Sequence, residues 1–179
     1  MPLIALIFLS LFAFSQGQAE MSAELRAGIQ TDRSQDPVPE GSKLSMGLGY
    51  GFGAWNYQFN YSHIGRDDVG NATVGTKLTT DEFLAWARYN FFKRKHIETY
   101  GGVGAGFKID VANIRLYDET LTEKSDRQWL VGLCAGASVP FNLGASNKQI
   151  APNLELALLN QPGVDYVEVA LLLGMSFRF

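Results

Sequence analysis

The sequence predicts an all-β fold, an eight-stranded antiparallel up-and-down transmembrane β-barrel, and three patterns support this class. First, apolar and polar residues alternate through eight segments, and a period of two is that of a strand with one apolar and one polar face. Second, long and short connections alternate between these segments. Third, the number of segments is even, as in barrels that cross a membrane.

The eight predicted strands cover most of the chain after residue 20. They are residues 21–30, 43–52, 55–62, 82–91, 97–111, 128–141, 150–159 and 166–179. Long polar loops are predicted at residues 31–42, 64–77 and 112–127, a shorter one at 160–165, and turns at 53–54, 92–96 and 142–149. This asymmetry is typical of membrane barrels, whose termini both lie on the side of the short turns.

The N-terminus predicts an export signal. Residues 3–14 form an apolar run interrupted only by Ser10, which suits a signal-peptide core and is too short to span a membrane as a helix. Gly17 and Ala19 occupy the small-residue positions for cleavage, so residues 1–19 are predicted as a signal peptide and residues 20–179 as the barrel domain. No Lys or Arg precedes the run, so either the α-amino group supplies the charge or the start lies upstream.

Composition excludes several function classes. The 179 residues suffice for one domain, and the net charge of −3 gives no basic excess that would indicate nucleic acid. The single cysteine, Cys134, excludes an intramolecular disulfide. With His63 and His96 far apart in sequence, no metal-site spacing is present, and no cofactor is predicted.

Two sets of aromatic residues indicate which face of the strands meets lipid. They lie on the apolar face near the strand ends, with small residues such as Ala85 and Ala135 between them. The set near the short turns is Phe52, Trp55, Tyr57, Tyr89, Phe91, Phe141, Phe177 and Phe179, and the set near the long loops is Tyr61, Phe83, Phe107 and Trp129. Such girdles mark the two membrane interfaces. The polar opposite face argues against the alternative, a secreted barrel around an apolar ligand.

The last strand carries a family resemblance. The sequence Gly-Met-Ser-Phe-Arg-Phe at residues 174–179 resembles the C-terminal signal of outer-membrane barrels, and Leu172 stands where that family usually has a polar residue. Over the mature chain the pattern resembles the OmpA/OmpX-like eight-stranded barrels. The resemblance implies a monomer in the bacterial outer membrane, inserted by the barrel-assembly machinery, with outer-membrane lipids and lipopolysaccharide as partners.

A plugged polar interior is predicted, because eight strands enclose a space just wide enough for side chains. The inward acids are Glu24, Glu82, Glu98, Asp110, Glu155 and Glu168, and the inward bases are Arg26, Lys43, Arg88, Lys108 and Arg178. Because unpaired buried charges are costly, interior ion pairs are expected, with Arg88 diagonal to Glu98 and Glu82 diagonal to Lys108. Inward glycines are expected to make room for Trp86, Tyr100 and Tyr166. A small solute or ion pore remains the less favoured alternative.

His63 is the one weak catalytic candidate. A lipid A deacylase of this architecture would need a His and a Ser on the outer surface near the membrane boundary. His63 has the parity of the lipid-facing residues, but the position two residues later, where the deacylase pattern has Ser, is Gly65, and Ser62 has the inward parity. An interfacial histidine without catalysis is the simpler interpretation.

Acidic loop residues suggest Ca²⁺ or bridged lipopolysaccharide contact, although no spacing of oxygen ligands stands out. They are Asp67, Asp68, Asp118, Glu119, Glu123 and Asp126. The sequence thus predicts an outer-membrane barrel with a structural or surface-interaction role. The alternatives are a lipid A-modifying enzyme and, less favoured, a solute pore.

Overall fold

The computed structural model describes residues 19–33, 41–66, 69–70, 74–94, 96–117, 119–144, 148–164 and 167–179. They form eleven strands: β1 Glu20–Arg33, β2 Gly41–Phe52, β3 Trp55–Arg66, β4 Val69–Gly70, β5 Val74–Arg94, β6 Ile97–Leu116, β7 Glu119–Lys124, β8 Gln128–Ser138, β9 Phe141–Asn142, β10 Gln149–Asn160 and β11 Val167–Arg178. The proposed signal peptide, apart from Ala19, lies outside these residues and stays a prediction. Within the described ranges, no helix is long and apolar enough to cross a membrane.

Eight of the strands close into a ring, which confirms the predicted fold class. Each pairs antiparallel with its neighbours in the order β1, β2, β3, β5, β6, β8, β10 and β11, and β11 pairs back with β1. At the seam, backbone hydrogen bonds join Met21 and Phe179 in both directions, at 3.2 and 3.0 Å. Both ends of the barrel domain therefore lie at the rim that carries the short turns.

The pairing register fixes the tilt of the strands. A path of paired residues that leaves β1 at Ser22 and passes once around the barrel returns to β1 at Asp32, ten residues further on. With strands about 4.8 Å apart and about 3.3 Å per residue, that displacement corresponds to a tilt of about 40°, within the usual range for closed barrels. The interior of a barrel of this size is filled by side chains.

The outer wall is apolar along its whole height, as the alternation predicts. On β1 and β2 most of the large outward residues are 40% exposed or more, for example Leu25 at 54% and Leu48 at 69%, whereas Arg26 at 1% and Lys43 at 4% point inward. Phe179 points outward at 60% and Arg178 points inward. The chain thus places its charges inside and its hydrocarbon outside, which is stable only if lipid covers the wall.

The long polar loops predicted at residues 64–77 and 112–127 are largely strand in the part that the structure describes. β3 continues to Arg66, β5 begins at Val74, β6 continues to Leu116, and the six residues Glu119–Lys124 form β7 along β6. We call β7, the parts of β5 and β6 that pair beyond the barrel and the adjoining turn residue (residues 74–78, 111–117 and 119–124) the extracellular ribbon. Its sequence lacks strict alternation, and on β7 neither face is covered, because all six residues are exposed.

The turns at the opposite rim are short, as predicted. β2 and β3 are joined by Gly53 and Ala54, and Gly53 has a φ of 60°, which favours glycine. The turn between β5 and β6 includes an irregularity in pairing between Asn90 and Phe92, a bulge of the kind common at barrel rims.

Candidate functional site

Two separate clusters of charged residues occupy the barrel interior. The first, the lower cluster, lies toward the short-turn rim and consists of Glu24, Arg26, Arg88, Tyr100 and Glu155. The Glu155 carboxylate binds Arg26, accepts a hydrogen bond from the Tyr100 hydroxyl at 2.9 Å and lies 2.6 Å from Arg88 Nη2. Glu24 lies 3.3 Å from Arg26 Nε and 3.4 Å from Arg88 Nη1. The lower cluster thus joins two cations to two carboxylates from three strands, and Tyr100 adds a fourth strand.

The second, the upper cluster, lies toward the extracellular ribbon and consists of Gln30, Lys43, Glu82, Lys108 and Glu168. Gln30 is its hub, because its amide nitrogen donates to Glu82 at 3.1 Å and to Glu168 at 2.6 Å. Its amide oxygen accepts a hydrogen bond from Lys43 Nζ at 2.9 Å. Lys43 also binds Glu82, and Lys108 binds Glu168. None of the five side chains is more than 5% exposed.

An apolar layer separates the two clusters. On β5 the order of inward residues is Glu82, Leu84, Trp86 and Arg88, so one leucine and one tryptophan lie between the upper and lower clusters. The buried members of the layer are Leu84, Trp86, Leu130, Cys134, Ala157, Leu159, Ala170 and Leu172. Leu172, the departure from the family signal, therefore has a packing role. The layer closes the centre of the lumen on the side of β5, β8, β10 and β11.

The interior glycines next to large side chains do make room for them. A Cβ built at Gly104 would lie 2.5 Å from Trp86 Cε3, and one at Gly136 would lie 2.5 Å from the Tyr100 hydroxyl oxygen. The prediction that glycines make room for large side chains is confirmed for Trp86 and Tyr100, whereas Tyr166 lies outside the described residues.

The prediction of interior ion pairs is confirmed, but the predicted partners are wrong. Arg88 binds Glu24 and Glu155 across the lumen, and Glu98 binds Arg178 at 2.6 Å and Lys93 at 3.4 Å. Glu82 lies directly opposite Lys108 in register and not diagonal to it. The long side chains reach across the narrow interior, so pairs form between strands that are not neighbours.

A polar cavity opens at the short-turn rim below the lower cluster. It has a volume of about 750 Å³, and its lining includes Ser22, Glu24, Asn56, Arg88 and Arg178. The Ser22 hydroxyl and the Asn56 side-chain oxygen are buried without a protein partner. A polar space of this size with unsatisfied groups suits ordered water. The lumen is therefore open to a polar cavity at this end, whereas side chains pack it from the apolar layer upward.

His63 lies on the outer surface, as predicted, and is part of a hydrogen-bonded group. Its Nδ1 lies 2.8 Å from Asp81 Oδ1, and the Tyr61 hydroxyl donates to the same oxygen at 2.8 Å. The imidazole is half exposed. Ser62 points inward and donates to Ser45 at 3.1 Å, so it is unavailable to His63.

Sequence reasoning missed one hydroxyl near His63. Ser42 on β2 is exposed and lies opposite Gly65, the position at which the deacylase pattern has Ser, and its Oγ lies 3.4 Å from the Gly65 carbonyl oxygen. No sequence signal could have found it, because Ser42 and Gly65 are 23 residues apart and only the register joins them.

The other candidate residues do not form a site in the described ranges. His96 is exposed in a turn and Cys134 is buried in the apolar layer. The described residues contain no group of three or more potential metal ligands. Asp67, Asp68 and Asp118 lie outside the described residues.

Similarity to solved structures is confined to the fold. Neisserial surface protein A matches with a TM-score of 0.65 and 16% identity, over 91% of this chain and all of that one. Ail, the attachment invasion locus protein of Yersinia pestis, matches with 0.60 and 14%, and a major outer membrane protein of Thermus thermophilus with 0.54 and 14%, each over the same shares. No protein-family model and no curated protein matches. Together with the apolar wall, these matches confirm the predicted class: the chain has the fold of the small outer-membrane β-barrels.

Proposed function

We propose that this protein is an outer-membrane barrel with a closed interior, whose role is structural or in contact with surfaces outside the cell. The observation that supports the closed interior is the apolar layer between the two charge clusters, together with the burial of the upper cluster. A monomeric barrel satisfies all its strand edges by closure, so it needs no partner for stability. The predicted insertion by the assembly machinery is part of this proposal.

Planar bilayers test the closed interior. We expect no steady conductance from the wild-type barrel, because Leu84, Leu159 and Leu172 fill the lumen between the clusters. The double substitution Leu84→Ala with Leu159→Ala should raise conductance, and Leu133→Ala on the outer wall is the control that should not. A steady open state of defined size in the wild type would overturn the closed interior and favour the pore.

The extracellular ribbon supports the role in surface contact. It exposes apolar side chains away from the membrane wall, with Leu116 at 40%, Tyr117 at 75% and Leu121 at 56%. Exposed apolar groups on a protruding element are a common feature of interaction sites. The heparin analogue in one Ail structure was bound by that protein, and it makes a sulfated polysaccharide a reasonable first ligand to test.

A truncated ribbon separates the structural role from the contact role. Val111 and Lys124 are paired, so residues 112–123 can be replaced by Asn-Gly, which forms a two-residue hairpin turn. If the ribbon makes the contacts, cells carrying this variant should lose attachment to polystyrene and heparin-coated surfaces and keep detergent resistance. The point variant Leu121→Thr serves as a control, because it keeps the ribbon backbone and removes one exposed apolar side chain. Unchanged attachment would refute contact through the ribbon.

A second candidate function is lipid A modification, favoured by the hydrogen bond between His63 and Asp81. A carboxylate on Nδ1 orients an imidazole so that Nε2 can act as a base, and Ser42 is an outward hydroxyl on the adjacent strand. Mass analysis of lipid A from cells with and without the protein tests this function. It gains support only if acyl chains are lost and both His63→Ala and Ser42→Ala abolish the loss.

A further inference from the structure

Among the described residues, the outer wall carries aromatic side chains at its extracellular end on one side only. Tyr61, Phe83, Phe107 and Trp129 are successive register partners on β3, β5, β6 and β8, with ring centroids 5.2, 5.1 and 6.3 Å apart. The outward residues at the extracellular ends of the other four barrel strands are aliphatic or small and polar; among those described are Ile29, Thr31, Ser42, Leu44, Leu158, Asn160, Val167 and Val169. An aromatic girdle alone would have no reason to be one-sided.

Two exposed cations lie just above this aromatic row. The Arg127 guanidinium lies 5.5 Å from the centroid of the Phe107 ring, one outward position above Trp129. Lys124 ends β7 opposite Val111 and lies near enough to Asp81 to interact with it electrostatically. Within the described residues, neither cation has a carboxylate within ion-pair distance, and Asp126, next to Arg127 in sequence, makes no ion pair with it. Two cations thus lie at the height of the lipid headgroups: Arg127, which makes no ion pair among the described residues, and Lys124, which has only the longer-range attraction of Asp81.

Below the row the wall is shallow. Ala85 on β5 pairs with Ala105 on β6, and both are exposed and lie directly under Phe83 and Phe107. Bulkier residues continue on either side, Phe59 on β3 at 56% exposure and Val131 on β8 at 45%. Small residues between larger ones thus form a shallow apolar groove on the wall directly below the aromatic row.

We propose that Arg127 and Lys124 bind a phosphate of an outer-leaflet glycolipid whose acyl chain lies over Ala85 and Ala105. A guanidinium presents paired donors that match a phosphate, the Phe107 ring holds it in place, and the aromatic row marks the interface where such phosphates lie. The proposal rests on the proposed outer-membrane placement, because only there does this rim face phosphorylated glycolipid. Lipid is favoured over free phosphate because the cations adjoin the groove.

Native mass spectrometry of the detergent-purified full chain with added diphosphoryl lipid A tests the site. We expect Arg127→Gln to lower the bound fraction about tenfold, the loss of one charge-assisted pair, and Lys124→Gln to lower it less. The matched control is Arg94→Gln, because Arg94 lies 5.0 Å from the Phe92 ring at the opposite rim in a similar geometry. Lipid A stripped of both phosphates should bind the wild type at least as weakly as the phosphorylated lipid binds the Arg127 variant, because it loses the contacts to both cations.

Three outcomes would overturn the site. They are undiminished binding by Arg127→Gln, an equal loss in Arg94→Gln, or displacement of lipid A by equimolar inorganic phosphate. Heat-modifiable migration on unboiled gels shows that each variant is folded, so failure of the barrel itself is distinguishable from failure of the site. If Arg127→Gln does not fold, Arg127→Lys keeps the charge, loses the paired donors, and should still bind several-fold more weakly.

Discussion

The upper and lower charge clusters have nearly the same chemistry but different surroundings. Both join two cations to two carboxylates through one polar hub, Gln30 above and Glu155 below. The upper cluster is sealed beneath the ribbon and above the apolar layer, whereas the lower one borders a cavity of about 750 Å³. The same kind of pair should therefore be far more sensitive to substitution above the layer than below it.

That difference also shows where the barrel is closed. In the lower half, the Ser22 hydroxyl and the Asn56 oxygen have no protein partner, which water in the cavity can supply. In the upper half, Gln30 uses both its amide nitrogen and its oxygen. The number of strands makes the lumen narrow but does not close it. The lumen is closed by the side chains that pack inside it from the apolar layer upward.

The largest expected effect is that of Glu82→Gln in the upper cluster. It leaves the buried Lys43 ammonium with only amide oxygens, where water cannot replace the carboxylate. Removing one partner of a buried ion pair costs about 3–5 kcal/mol. The free energy of unfolding in urea, measured in lipid vesicles, should fall by that amount, and Lys43→Met with Glu82→Leu should recover much of it.

The same substitution in the lower cluster, Glu155→Gln, should cost less. Arg26 and Arg88 keep Glu24 as a partner, at 3.3 and 3.4 Å, and the cavity supplies water. We expect a loss of about 1–3 kcal/mol in the same vesicle assay, the range for unsatisfied groups that can be partly solvated. A cost equal to that of Glu82→Gln would show that the cavity is dry.

The smallest effect is expected at the rim, from Arg178→Gln. Arg178 lines the cavity and is partly exposed, and its partner Glu98 retains Lys93. Ion pairs in contact with water contribute about 0–1 kcal/mol, so unfolding should hardly change. A loss similar to that of Glu155→Gln would place the boundary of solvent higher in the lumen than the cavity does.

Strand faces could be predicted from the sequence, because lipid and a polar interior impose a strict period of two. Leu25, Arg26, Phe179 and Arg178 all lie on the predicted faces. The ion-pair partners could not, because they depend on the ten-residue displacement around the barrel and on reach across the lumen, as from Arg88 to Glu24. The ribbon was missed because residues such as Thr76 and Lys77 are exposed and need no alternation.

Part of the site was open to sequence reasoning and part was not. The parity of His63 could be read directly, but Asp81, its hydrogen-bond partner, lies on another strand. Arg127 was counted as the end of a loop, and only the pairing of Phe107 with Trp129 shows that it lies above an aromatic row. The sequence indicates how far along its own strand a residue lies. A surface site also depends on which residues of the adjacent strands lie beside it, and only the pairing register shows that.

The seam between β1 and β11 has a consequence for how the protein can be made. Those two strands are the first and last of the barrel domain, so the backbone of β1 along Ser22 to Arg33 stays unpaired on one side until β11 arrives. Hydrocarbon offers no hydrogen bonds to such an unpaired edge. An intermediate with seven strands would have two unpaired edges. Synthesis must therefore be complete before insertion can finish, and the chain needs protection from edge-to-edge aggregation until then.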